Sequence, residues 1–163
     1  MELKFRVAAR IAKPLHDVFE AVADPERLSQ YFTTGGAKGR LETGATVTWD
    51  FHDYPGAFPV HVVDVIPDER IVLQWDAAEG EPPNLEDPSR PESADTGYKT
   101  TVTVSFKALE DGRTLVEIAE EGWRENQGAL VASYGNCQGW SQMLCALKVW
   151  LEHGINLREG MYK

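Results

Sequence analysis

The sequence predicts an α+β fold, a curved antiparallel sheet of six or seven strands wrapped around one long C-terminal helix. A strand-like alternation opens the chain, and two short helical segments follow it. Strand-like runs then fill most of residues 45–123, and a long helical pattern closes the chain at residues 135–154. A series of strands with helices at its ends is typical of an α+β fold. The short spacers between the strands favour antiparallel neighbours.

Length and charge indicate a single globular domain over residues 1–163. The chain has 42% apolar and 26% charged residues, an ordinary globular composition that can bury a core without metals or disulfides. The formal net charge of -10 argues against a nucleic-acid partner, because such a groove needs clustered Lys and Arg to neutralise phosphates.

The sequence also indicates a cytoplasmic location. It contains no run of 18 apolar residues and no secretory signal, so we expect no membrane span. Cys137 and Cys145 lie eight residues apart, about 12 Å along a helix, which is too far for a disulfide between them. Free thiols fit a reducing compartment.

The N-terminal part of the chain predicts one strand and two short helices. Residues 3–11 alternate apolar and polar side chains, as in a strand with one buried face. Pro14 suits the first position of a helix, and Asp24 followed by Pro25 is a typical N-cap before a second helix. The glycine-containing residues 33–36 end that helix.

Five strand-like runs follow, each bounded by turn residues and rich in β-branched or aromatic side chains. They are residues 45–51, 58–66, 70–76, 98–107 and 114–123. Residues 77–97 interrupt them with four prolines and six acids against one arginine, which predicts a long, mobile, acidic loop. Its role stays open between a solvated insertion, a lid and a partner contact.

The last helix changes character along its length. Its inward face carries small or polar residues first, and large apolar residues from Met143 onward. Gly128, Gly135 and Gly139 lie along one flank, and each costs about 1 kcal/mol relative to alanine inside a helix. Either the glycines permit close packing, or the small residues leave a space that aromatic strand residues line. Such a space would be a mostly apolar pocket for a small molecule.

We predict that this pocket binds a small, largely hydrophobic ligand. Its predicted lining residues are Phe32, Trp49, Phe51, His61, Trp75, Tyr98, Glu120, Ala132, Asn136, Gly139, Trp140 and Met143. Glu120 shares the strand parity of Val116 and Ile118, so it points inward unless the strand end splays into water. A buried carboxylate there would have a raised pKa and could act as a base or bind a polar group.

Two of the predicted residues have alternative interpretations. Asn136 either offers a donor and an acceptor on the inner helix face, or caps a helix that begins late. His61 lies on a strand that is apolar on both faces, so alternation does not decide whether it faces the pocket.

No catalytic or metal-binding motif accompanies these residues. No nucleophile stands beside a base, and no phosphate-binding motif, dinucleotide motif or metal-ligand spacing occurs. We therefore expect no metal and no cofactor, and favour a binding protein over an enzyme.

Several segments resemble the START-like (SRPBCC) superfamily, in its branch related to the activator of the heat-shock protein ninety ATPase. Residues 14–32, PLHDVFEAVADPERLSQYF, resemble its pattern Pro-x-x-x-Val-Phe-x-Ala-x-x-Asp-Pro-x-x-Leu-x-x-Trp-Phe, with Tyr31 in the Trp place. The other similar segments are residues 65–75, 120–123 and 139–154. The chain departs from the pattern at Lys13, where a Ser-like cap is usual, and in the added loop 77–97.

The resemblance implies the helix-grip fold of START-like and birch-pollen-allergen-like proteins, in which the sheet grips the C-terminal helix around a cavity. That fold hosts carriers, receptors, cyclases and co-chaperone modules, so it does not fix the function. Beside ligand binding, two alternatives therefore stay open. One is a co-chaperone-like interaction module that uses the acidic loop and the sheet exterior. The other is a cyclase- or hydrolase-like enzyme that uses Glu120, His61 or Tyr98.

Overall fold

The computed structural model describes residues 1–52, 54–80 and 96–161, with the backbone alone at residues 54 and 55. Its strands are β1 (Lys4–Ile11), β2 (Gly36–Lys38), β3 (Thr46–Phe51), β4 (Tyr54–Ile66), β5 (Arg70–Asp76), β6 (Lys99–Ala108) and β7 (Thr114–Glu121). Its helices are α1 (Leu15–Ala23), α2 (Pro25–Leu28) and α3 (Gln127–His153). Most of the predicted loop, residues 81–95, lies outside the described residues.

The seven strands form one curved antiparallel sheet in the order β1-β7-β6-β5-β4-β3-β2. Neighbours in sequence are neighbours in the sheet, except that the first strand pairs with the last, from Lys4 opposite Glu121 to Ile11 opposite Thr114. The predicted α+β helix-grip arrangement is confirmed, and the short edge strand β2 completes the seven.

The helices cover one face of this sheet. Helix α3 lies against β1, where the Nζ of Lys148 donates to the backbone oxygen of Arg10 over 2.9 Å. Helix α1 packs against β6 through an edge-to-face contact between Phe19 and Phe106, with ring centroids 5.4 Å apart. The core therefore lies between one sheet face and the three helices. In the described part of the chain, no helix is long and apolar enough to cross a membrane.

Helix α3 begins eight residues earlier than its apolar pattern suggests. The Oδ1 of Asn126 accepts a hydrogen bond from the backbone N–H of Ala129 at 2.8 Å and caps the helix at Gln127. The buried positions of the first turns hold only small residues, whereas the larger Leu130 and Val131 are half-buried, so no apolar stripe marks the inner face there. Asn136 consequently lies inside the helix and does not cap it.

Replacing the cap residue, Asn126→Ala, should lower the free energy of unfolding by about 1 kcal/mol, because the Ala129 N–H loses its acceptor. Urea unfolding monitored by circular dichroism measures this change. Asn126→Ser keeps a capping oxygen and should stay close to the wild type. Equal losses in both variants would contradict the assignment of the cap.

Candidate functional site

Glu120 is a fully buried carboxylate beneath helix α3. Four side-chain donors reach its two oxygens. They are Trp75 Nε1 at 2.8 Å, Thr100 Oγ1 at 2.8 Å and Asn136 Nδ2 at 3.0 Å on Oε1, and Trp140 Nε1 at 2.9 Å on Oε2. A buried charge is tolerated only when hydrogen bonds replace its lost water, and this arrangement supplies them.

Sheet register and helix periodicity bring these residues together. Trp75 of β5 lies directly opposite Thr100 of β6, and Glu120 of β7 lies opposite Val102, two residues further along β6. Thr100 and Glu120 therefore lie on the same sheet face, the one that α3 covers. On the helix, Asn136 and Trp140 are four residues apart and share the face that meets the sheet.

Burial raises the pKa of Glu120, because removal from water disfavours the charged form. The hydrogen bonds from Trp75, Thr100, Trp140 and Asn136 act in the opposite direction, because each stabilises the carboxylate. The result is a pKa above the ordinary glutamate range, in a group that does not touch solvent.

An aromatic cluster lies beside this carboxylate. We define it as Phe32, Trp49, Phe51, Phe58, Trp75 and Trp140. Trp140 stacks between two of the other rings, with centroids 5.4 Å from Trp75 and 5.5 Å from Phe32. Phe32 also meets Phe51 edge to face at 4.9 Å. The strand rings thus extend to the helix and occupy much of the space that its small residues leave.

The aromatic cluster extends from the core to the protein surface. Phe32, Trp49 and Trp140 are buried, whereas Phe51, Phe58 and Trp75 are only half-buried. The indole N–H of Trp49 is buried and has no hydrogen-bond acceptor among the described residues. The cluster therefore combines half-buried rings at the surface with a buried N–H that has no acceptor among the described residues.

The helix glycines differ in what surrounds them. A Cβ added at Gly128 would lie 3.3 Å from the backbone nitrogen of Gly80, so this glycine permits close packing. At Gly135 and Gly139, an added Cβ would meet no described atom within 4 Å. The glycine at the start of the helix therefore permits close packing, whereas the helix flank is open at Gly135 and Gly139.

Most of the predicted site residues come together here. Seven of them belong to the aromatic cluster or to the Glu120 hydrogen bonds, namely Phe32, Trp49, Phe51, Trp75, Glu120, Asn136 and Trp140. Ala132 and Met143 are buried on the same helix, and Gly139 is half-buried beside Trp140. Thr100 and Phe58 were not predicted, because their contacts with Glu120 and with the aromatic cluster depend on how the strands pair.

Two predicted residues lie elsewhere. His61 is on the outer sheet face, because its neighbours Val60 and Val62 are the buried ones, and its Nδ1 lies 3.0 Å from Thr46 Oγ1. Tyr98 lies near the start of α3, where its hydroxyl donates to Glu79 Oε1 at 2.9 Å. Neither side chain contacts Glu120.

A separate open cleft of about 810 Å³ lies at the C-terminal end of α3. Its lining includes His52, Trp150, Asn156 and Arg158. The guanidinium of buried Arg158 also lies over two rings of the aromatic cluster, 5.6 Å from Phe32 and 5.7 Å from Phe51. Arg158 therefore lies between this cleft and the aromatic cluster. Nothing in the sequence pattern marks this residue.

A family model matches most of the chain. Residues 12–152 match the model described as Activator of Hsp90 ATPase homolog 1-like protein. A comparison with curated proteins finds no match to this chain.

Solved structures with the same fold span almost the whole chain. Protein SSP2350 from Staphylococcus saprophyticus is 24% identical, with a TM-score of 0.72 and 96% of each chain covered. The Aha1 dimer from Colwellia psychrerythraea is 20% identical, with a TM-score of 0.68 over 93% of this chain and 98% of that chain.

A third structure is DynU16, a putative protein in the dynemicin biosynthetic locus. It is 22% identical, with a TM-score of 0.70 over 93% of this chain and 48% of that chain. At these identities the likeness establishes the fold alone.

Glu120→Gln should change the pH dependence of stability. The folded state holds the Glu120 proton more tightly than the unfolded chain does, because its pKa is raised. The stabilisation that follows from this proton binding is fully present below the pKa of Glu120 in the unfolded chain, about 4.3. It is lost as the pH rises through the pKa of Glu120 in the folded protein. The stability of the wild type relative to Glu120→Gln should therefore fall as the pH rises from about 4.

Urea unfolding of both proteins across a pH series measures this difference. Glu121→Gln is the matched control, since it removes a carboxylate from the exposed neighbouring position and leaves Glu120 in place. A constant difference between wild type and Glu120→Gln would contradict the raised pKa.

Proposed function

The chain belongs to the family of Activator of Hsp90 ATPase homolog 1-like proteins, and we propose that it binds a small, largely apolar ligand at the aromatic cluster between the sheet and α3. Seven of the predicted lining residues meet there, which supports this site over the cleft near Trp150.

The buried carboxylate of Glu120 is the observation that carries the proposal. Removing a carboxylate from water costs several kcal/mol, and a well-packed apolar side chain often stabilises a core as well or better. Four donors from two strands and a helix nonetheless converge on this group. Buried groups with a perturbed pKa concentrate at functional sites, so we assign Glu120 a role in binding.

The surroundings of Glu120 suit a ligand that enters from the protein surface. Trp75 and Asn136, which donate to the carboxylate, are both half-buried, so a path from the surface to Glu120 would pass beside them. A Cβ added at Gly135 or Gly139 would meet no described atom within 4 Å, so the adjacent helix flank is open at both positions. An apolar surface with a few converging polar groups is the usual form of a small-molecule site.

The groups around Glu120 favour binding over catalysis. Two indoles, a threonine hydroxyl and an asparagine amide contact the carboxylate, and none of them exchanges a proton near neutral pH. His61, the histidine predicted to line the site, faces away from it, so Glu120 is the one titratable side chain in this set of hydrogen bonds.

Gly139→Leu should weaken binding of the neutral fluorescent probe N-phenyl-1-naphthylamine at least tenfold, because the new side chain enters the space beside Trp140. A fluorescence titration measures the affinity. The fold should tolerate the change, since no described atom lies within 4 Å of the added Cβ.

Tyr134→Leu is the matched control, because Tyr134 lies on the exposed face of the same helix. It should bind the probe like the wild type, and circular dichroism should show all three proteins folded. Equal affinity in Gly139→Leu and the wild type would reject this site.

A co-chaperone-like interaction module is the second candidate function. The family description and the structural likeness to an Aha1 dimer favour it. The acidic segment 81–95 would be a contact with a basic partner surface. Both cysteines are free thiols, which suits the reducing cytoplasm in which such a partner would work.

Replacing residues 81–95 by a short Gly-Ser linker tests this second function. The full chain should stimulate the ATPase of heat-shock protein ninety in a coupled assay, and the replaced chain should not, because the acidic contact is lost. Probe binding at the aromatic cluster should persist in the replaced chain if it is folded. Absence of stimulation by the full chain would reject the interaction module.

A further inference from the structure

We infer that the ligand carries a hydrogen-bond donor, such as a hydroxyl, phenol or N–H group, that binds the Oε2 atom of Glu120. This inference rests on the proposed function and names the chemical class of ligand. An apolar, planar body would contact the aromatic cluster, and the donor would reach the carboxylate.

The two oxygens of Glu120 are unequally used. Oε1 accepts from Trp75, Thr100 and Asn136, whereas Oε2 accepts from Trp140 alone. Each carboxylate oxygen offers about two acceptor directions. Oε1 is therefore crowded, and Oε2 keeps one direction that no described residue fills.

The protein groups around the carboxylate determine that only a hydrogen-bond donor suits the remaining acceptor direction of Oε2. The indole N–H groups of Trp75 and Trp140 can only donate, and one is directed at each oxygen. Four donors aimed at one carboxylate suit its ionised form, which accepts and does not donate. A ligand carboxylate or phosphate would place like charge against Glu120, and an ether oxygen would place lone pair against lone pair.

Asn136 marks the side from which a donor can reach the carboxylate. Its 3.0 Å bond to Oε1 is the longest of the four, and Asn136 is half-buried whereas Glu120 is fully buried. It lies one helical turn from Gly139 and shares a helix face with Trp140. Trp140 donates to Oε2, so a ligand donor at Oε2 would lie beside the Trp140 indole, on the helix face that Asn136 shares.

Three naphthalenes with one substituent each test the inference. They are 2-naphthol, which has a donor, 2-methoxynaphthalene, which has only an acceptor, and 2-naphthoate, which is an anion. Isothermal titration calorimetry at pH 7 measures their affinities for the wild type. We expect 2-naphthol to bind at least about tenfold more tightly than the methyl ether, because only 2-naphthol can donate a hydrogen bond to the charged carboxylate. We expect 2-naphthoate to bind most weakly.

Glu120→Gln should bind 2-naphthol and its methyl ether with similar affinity. The amide nitrogen of the glutamine replaces Oε2, and the negative charge is lost as well. Glu121→Gln should keep the preference of the wild type, since that exposed side chain does not contact the site. The wild-type comparison stands even if Glu120→Gln fails to fold.

The possible results separate the inference from the function on which it rests. Equal affinity of the wild type for 2-naphthol and 2-methoxynaphthalene would overturn the donor inference and leave the binding site intact. A preference that survives in folded Glu120→Gln would also overturn it. No binding of any of the three compounds would reject the proposed function itself, and the inference with it.

Discussion

The hydrogen bonds to the buried Glu120 carboxylate are the constraint on which the rest of the structure depends. They join Trp75 of β5 and Thr100 of β6 to Asn136 and Trp140 of α3. Leaving such a charge unpaired costs more than most single contacts contribute, so sheet register and helix rotation must satisfy it together. The helix backbone lies against β1 at the sheet edge, and these bonds hold its inner face over the central strands.

This constraint accounts for the two halves of α3. In the first half, small residues leave room for Glu120 and for the indole of Trp75, which crosses from the sheet to stack on Trp140. In the second half, buried Met143 and Leu147 fill the core, and Trp150 stacks on Tyr31 at 5.4 Å. One half of the helix therefore fills the core, and the other half contacts Glu120 and the aromatic cluster.

Strand alternation and helix periodicity were enough to predict which side chains face inward. Parity places Glu120 on the same face as Val116 and Ile118, and the helix period places Asn136 on the inner face. It could not predict which donors meet the carboxylate, because that depends on Trp75 lying opposite Thr100 across two strands. His61 shows the limit of alternation, since exposed Val63 makes its strand apolar on both faces. Arg158 was missed because no periodic pattern places the segment after α3.

The indole N–H signals of the five tryptophans test the location of the ligand most directly. Trp49, Trp75 and Trp140 belong to the aromatic cluster, whereas Trp123 contacts Phe5 and Trp150 lines the separate cleft. We would record the ¹H–¹⁵N spectrum while adding N-phenyl-1-naphthylamine. We expect shifts in the signals of the three cluster tryptophans and little change in the other two. Shifts confined to Trp150 or Trp123 would contradict it, and would move the binding site away from Glu120.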